Sequence, residues 1–162
     1  RADDPSLTVR GFGAVRQPVR VVASALIDLP KDGALACSAR GVPLWLIHGP
    51  GADAGVWQAI GAETIETPLS GGRIDPAAML WALADRGITR VFCEGGGALA
   101  ASLLKADLVD DLVVHRAGLA LGADARAGIG ELGLGRLDEA PRFRLVDQSV
   151  AGDDSVETWS RD

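Results

Sequence analysis

The tightest constraint on the fold is the order of patterns across residues 75–114, DPAAMLWALADRGITRVFCEGGGALAASLLKADLVDDLVV. A helical pattern leads through almost no loop into a β-prone run, ITRVFC. Three glycines follow Glu94, then a second helical pattern, then a second β-prone run, DDLVV. Alternation of this kind argues for an α/β layered fold, in which helices cover a sheet. Asp75 is placed to cap the first helix, Pro76 suits its first position, and Gly87 suits its left-handed end. Met79, Leu80 and Leu83 recur at helical spacing and give it an apolar face. A right-handed crossover through this helix would set residues 63–67 and 88–93 beside each other as parallel strands.

The flanking chain extends the alternation. VRVVAS (19–24) and PLWLIH (43–48) are short apolar runs bounded by Pro and Gly, and read as buried strands. LPKDGALACSARG between them predicts a turn at Pro30 to Gly33 and one short helix ending near Gly41. GPGADAGVWQAIG predicts a helical turn carrying Val56, Trp57 and Ile60. At the other end, RFRLVDQSVAGDDSVETWS contains two alternating runs around AGDD and reads as an antiparallel hairpin. Residues 120–141 are weakly patterned and predict a surface loop with a turn or two of helix.

With 162 residues, 48% of them hydrophobic and 23% charged, the chain is long and apolar enough for one globular domain. A net charge of -6 gives no footprint for nucleic acid or an anionic membrane surface. No apolar run approaches the ~20 residues of a membrane-spanning helix, so a soluble, cytoplasmic protein is expected. Cys37 and Cys93 are far apart and no histidine cluster accompanies them; both are expected as buried thiols, with no metal site.

A glycine run at a strand-to-helix junction removes every Cβ and lets backbone approach a ligand closely. The free N–H groups of the helix start and its dipole favour phosphate there, although a structural tight turn explains the glycines equally well. Glu94, at a strand's carboxyl end, can accept hydrogen bonds from a polar ligand or stabilise the helix start. Neither G-x-G-x-x-G nor a Walker A motif is present. Asp3 and Asp4 in ADDPSLTVR are placed for a capped turn or a ligand loop. Ser24 and His48 stand at strand ends, where packing or solvation competes with a ligand role.

Three stretches together, ADDPSLTVR, RQPVRVVAS and EGGGALAASLLKADLVDDLVV, resemble the reductase domain of the bacterial bifunctional riboflavin biosynthesis proteins. The resemblance runs from Arg1 to near Asp162. It implies a three-layer α/β/α dihydrofolate-reductase-like fold, mostly parallel, with an antiparallel C-terminal hairpin. It further implies an NADPH-dependent reductase of 5-amino-6-(5-phosphoribosylamino)uracil that works as a homodimer. Matched position by position, Gly96, Gly97, Ala98 and Leu99 would face the cofactor phosphates. Asp3 and Ser24 would be cofactor contacts, Leu7, Arg10 and Glu94 would meet the substrate, and Asp3 and Glu94 would assist proton movement. Arg10 suits a ribose phosphate, which a guanidinium grips through two parallel hydrogen bonds.

The pattern also departs from the family. Ala23 stands where family members usually carry aspartate, and Ile27 and Asp28 replace a basic residue. Arg1 falls partway into the family pattern, so residues 1–162 are expected to be one reductase domain without its first strand and first cofactor segment. The H-x-E and P-C-x-x-C zinc motifs of the partner deaminase are absent here; a longer parent chain is where a deaminase domain is expected. Two other readings share the sequence features: a reductase of another pyrimidine or pteridine, and a non-catalytic nucleotide-binding or dimerisation module.

Overall fold

The computed structural model describes residues 4–161. The chain divides between Thr89 and Arg90 into two compact units.

The first unit is built on three parallel strands: β1 (Arg20–Ala23), β2 (Leu44–His48) and β3 (Glu63–Glu66), in the order β1-β2-β3. The register pairs Arg20 with Leu44 and Trp45 with Glu63. As the central strand of a parallel sheet, β2 is buried over nearly its whole length. Helices α1 (Ala34–Cys37) and α2 (Gly55–Ala59) lie in the two crossovers. The expected helix between Pro30 and Gly41 is thus a single turn. Ala36, Ala39, Leu44, Leu46, Trp57, Ala62 and Ile27 form one buried apolar cluster.

After β3 comes a short ribbon, β4 (Leu69–Ser70) and β5 (Arg73–Ile74), absent from the sequence expectations. Gly71 and Gly72 at its turn both have positive φ, at 57° and 76°, the pair of left-handed residues that a tight hairpin requires. Helix α3 (Pro76–Ala84) begins as expected: the Asp75 carboxylate accepts from Ala78 N at 2.8 Å, and Pro76 follows. It also ends as expected. Gly87 adopts φ +82°, Gly87 N donates to Ala84 O, and Ile88 N donates to Leu83 O, the two bonds of a Schellman ending.

Residues 88–93, expected as a strand, straddle the boundary between the two units, and neither unit by itself assigns a strand to them. Apolar, β-branched composition is a preference that needs a partner edge to be realised.

The second unit contains helix α4 (Gly97–Lys105), β6 (Asp111–Arg116), β7 (Arg144–Ala151) and β8 (Asp154–Ser160). The three strands form an antiparallel sheet in the order β6-β8-β7. The expected hairpin is β7–β8, turning through Gly152 and Asp153 with φ +67° at Gly152. The parallel pairs of the first unit are β1–β2 and β2–β3. Residues 117–143 are irregular apart from two 3-10 turns, Gly122–Asp124 and Leu137–Glu139, as the weak patterning predicted. Helix α4 buries Ala101, Leu103 and Leu104.

Among the described residues no helix is long and apolar enough to cross a membrane. Both cysteines are exposed, contrary to expectation. Cys37 ends the one-turn α1, too short to bury more than Ala36, and Cys93 lies in the segment before α4.

Candidate functional site

In the second unit the glycine run has divided roles. A methyl group at Gly95 would stand 2.7 Å from a Leu99 methyl and 3.3 Å from Cys93 Sγ. One at Gly97 would stand 2.6 Å from Ala127 O and 3.1 Å from Gly130 N. Gly97 lets the backbone of residues 127–130 dock onto the start of α4, where Gly130 N donates to Gly97 O at 2.9 Å. Two of the three glycines thus serve packing within the protein.

Gly96 is different. It is the N-cap of α4, and an added Cβ would meet nothing within 4 Å. By their place in the first turn, the N–H groups of Gly97 and Ala98 have no intrahelical acceptor. No acidic residue occupies that turn and no side chain caps it. Glu94 is exposed and makes no hydrogen bond or ion pair with a described residue. The capping role open to it from sequence is thus unused. Its carboxylate and the open helix start can hydrogen-bond a ligand with both donors and anionic oxygens.

In the first unit the loop after residue 3 is braced. Asp4 carries φ +37° and Leu7 φ +50°, left-handed conformations that non-glycine residues rarely hold. The Asp4 carboxylate accepts from Ala34 N through both oxygens, at 3.0 and 2.9 Å, and so caps α1 rather than its own turn. Gly33 makes room for it: a Cβ there would lie 2.7 Å from Asp4 Oδ1. Ser6 O accepts from Arg20 Nη1 at 3.3 Å, and Val9 exchanges two hydrogen bonds with the Gln17 amide. Leu7 is half-buried, whereas Arg10 is exposed with no described partner.

Ser24 follows β1. Its N–H donates to Ile47 O at 2.9 Å, and its half-buried hydroxyl has no described partner. The chain then turns through Ile27, a buried β-branched residue at φ +52°. His48, at the end of β2, is 6% exposed and donates from Nδ1 to Gly49 O at 2.9 Å, so packing accounts for it. Asp3 lies outside the described residues. The cavity lined by Asp4, Pro5, Leu29, Pro30, Gly33, Leu35 and Trp57 holds about 40 Å³, room for water and not for a nucleotide.

Sequence reasoning missed Arg20, whose guanidinium ties the loop to α1. The available signal was a lone arginine opening an apolar strand, since arginine is seldom buried without partners. It also missed the 127–130 backbone beneath Gly97, for which nothing local to either stretch gives a sign.

These features define an α/β protein that offers an open helix start and a braced loop ending in a free arginine. Residues 1–156 match the RibD C-terminal domain model, and the chain belongs to that family. It is 30% identical to the riboflavin biosynthesis protein RibD of Bacillus amyloliquefaciens, an alignment spanning 95% of this chain and 42% of that protein. Identity to RibD of Escherichia coli K12 is also 30%, over 94% of this chain and 44% of that protein. The chain thus spans less than half the length of these curated relatives.

Among solved structures, Acinetobacter baumannii RibD superposes with a TM-score of 0.77 at 22% identity, over 98% of this chain and 43% of that one. A Thermotoga maritima protein described as a diaminohydroxyphosphoribosylaminopyrimidine deaminase/5-amino-6-(5-phosphoribosylamino)uracil reductase gives 0.72 at 19% identity, covering 98% and 41%. These likenesses bear out the α/β, dihydrofolate-reductase-like fold.

Proposed function

We propose that this chain reduces 5-amino-6-(5-phosphoribosylamino)uracil to its ribitylamino product with NADPH, as the reductase part of a longer riboflavin-pathway protein. The observation that carries this reading is the junction before α4. Gly95 and Gly97 are filled by protein, while Gly96 is left open beside an unengaged Glu94.

NADPH fits the residues present. The N–H groups of Gly97 and Ala98 would hold its phosphate, Gly96 would admit it without a side chain, and Leu99 packs over Gly95 to fix the turn. Ser24 offers a free hydroxyl at a parallel strand's carboxyl end, where open α/β sheets bind ligands. When bound, the cofactor supplies hydride to C1 of the ring-opened ribosyl group. The chain's own residues orient the substrate. Arg10 pairs with its phosphate, Leu7 lines its pocket, and Glu94 accepts hydrogen bonds from its polar groups. Asp3 and Glu94 are the candidates for moving the proton that completes reduction.

A homodimer, a cytoplasmic location and a deaminase domain elsewhere in the parent chain belong to the same reading. The test is substrate-dependent NADPH oxidation by the longest natural protein that carries this chain. Glu94→Gln is expected to lower kcat by about 10²-fold if Glu94 handles the proton. Undiminished turnover in both Glu94→Gln and Asp3→Asn would reject the proton role. No oxidation by the folded wild type with this substrate would reject the function.

A further inference from the structure

Arg20 opens β1 and is buried to 1% exposure, among the most enclosed side chains in the chain. Burial strips the guanidinium of water and lowers its pKa. A buried charge is tolerated where its N–H groups find acceptors, and here the acceptors are neutral. Nη1 donates to Ser38 Oγ at 2.7 Å and Ser6 O at 3.3 Å; Nη2 donates to Val42 O at 2.6 Å and Ser38 O at 3.2 Å. Nε alone has no partner.

These bonds close a circuit around α1. The Asp4 carboxylate takes the first N–H of the helix at Ala34. The Ser38 hydroxyl donates back to Ala34 O at 2.5 Å. Arg20 joins Ser38 to Ser6 O. Residues 4 and 6 are thereby tied to opposite ends of one helical turn, and the strained Leu7 follows directly. Left-handed non-glycine residues persist where the surroundings over-determine them, and they cluster at functional positions.

We propose that Arg20 is a positioning residue for substrate binding: by holding Ser6 O against Ser38, it keeps Leu7 left-handed and sets the direction in which Arg10 leaves the loop. This rests on the reading of Leu7 and Arg10 as substrate contacts. Arg20→Met removes the donor to Ser6 O, Ser38 O and Val42 O and leaves those carbonyls without it, so some stability is lost together with the geometry Arg20 imposes.

Three variants test this. Arg20→Met keeps the bulk, Arg20→Lys keeps the charge but cannot span four acceptors, and Ser38→Ala loosens the guanidinium without touching β1. The first readout is amide hydrogen exchange, which is independent of activity. The Ala34 and Val9 amides are expected to exchange about tenfold faster in Arg20→Met, while those of β2 stay protected. The second readout is kinetic. KM for the phosphoribosyl substrate is expected to rise about tenfold in Arg20→Met and Arg20→Lys and less in Ser38→Ala, with kcat and KM for NADPH within about twofold.

Unchanged KM in folded variants overturns the proposal. So does exchange that quickens uniformly across β1–β3 while KM holds, which is the mark of a residue that only supports the fold. A wild-type protein without substrate-dependent NADPH oxidation overturns the functional reading itself, and the substrate role of Arg20 with it, even if the Ala34 and Val9 amides respond as expected.

Discussion

At the scale of single residues, neighbouring glycines at the start of α4 answer to different demands. An alanine side chain at Gly97 would press on the Ala127 carbonyl at 2.6 Å, and backbone cannot swing aside as a side-chain tip does. Gly97→Ala is therefore expected to cost about 1–3 kcal/mol in urea unfolding. At Gly96 the methyl meets open space and φ is -66°, so Gly96→Ala is expected to lose under about 1 kcal/mol, the effect of a poorer N-cap. On the proposed function its Kd for NADPH should nonetheless rise, because the methyl would occupy the space proposed for the cofactor phosphate. Equal stability loss in both variants, or unchanged NADPH affinity in Gly96→Ala, would remove the division of roles. The three letters GGG carried no trace of this division. What separates Gly97 from Gly96 is a loop thirty residues downstream, and only the fold brings it there.

At the scale of elements, what was legible is what is local. Helix α3 was readable at both ends because Asp75, Pro76 and Gly87 act on their own backbone. Residues 88–93 carry no strand within either unit by itself, for a strand is a relation between two segments and composition describes one. The C-terminal hairpin succeeded for the opposite reason: its partners flank a two-residue turn and find each other locally. Helix endings offer a further test. Both α3 and α4 close with the same pair of bonds, but α4 places Asp107 at φ +61° where α3 places Gly87. Asp107 also pairs with Arg161, while remaining mostly exposed. Gly87→Ala is expected to cost about 1–2 kcal/mol, the strain of a Cβ in the left-handed region. In Asp107→Gly, relief of that strain offsets an exposed ion pair worth about 0–1 kcal/mol, so stability should stay level or rise slightly. A melting temperature lowered by several degrees in Asp107→Gly would show that the ion pair dominates.

At the scale of the whole molecule, the antiparallel sheet ends in an edge that a lone chain manages poorly. Strand β7 is exposed along all eight residues, with Leu145 and Val146 above 40% and Val150 at 80% exposure. It has no proline, and its outer backbone groups face no strand among the described residues. Long exposed edges of this kind invite pairing unless something covers them. A homodimer, part of the proposed function, would supply that cover, through the edge or through the apolar side chains beside it. The net charge of -6 per chain opposes association at long range, so a dimer held by apolar contact should tighten as salt rises. Sedimentation equilibrium is expected to show dimers that become more populated with added salt, and Val150→Asp should shift them toward monomer without lowering the melting temperature of the monomer. The substitution adds a charge where the side chain is already in water, so it costs little to the isolated chain and much to an interface. A monomer at every concentration, with Val150→Asp indistinguishable from wild type, would rule out a dimer of this chain through β7.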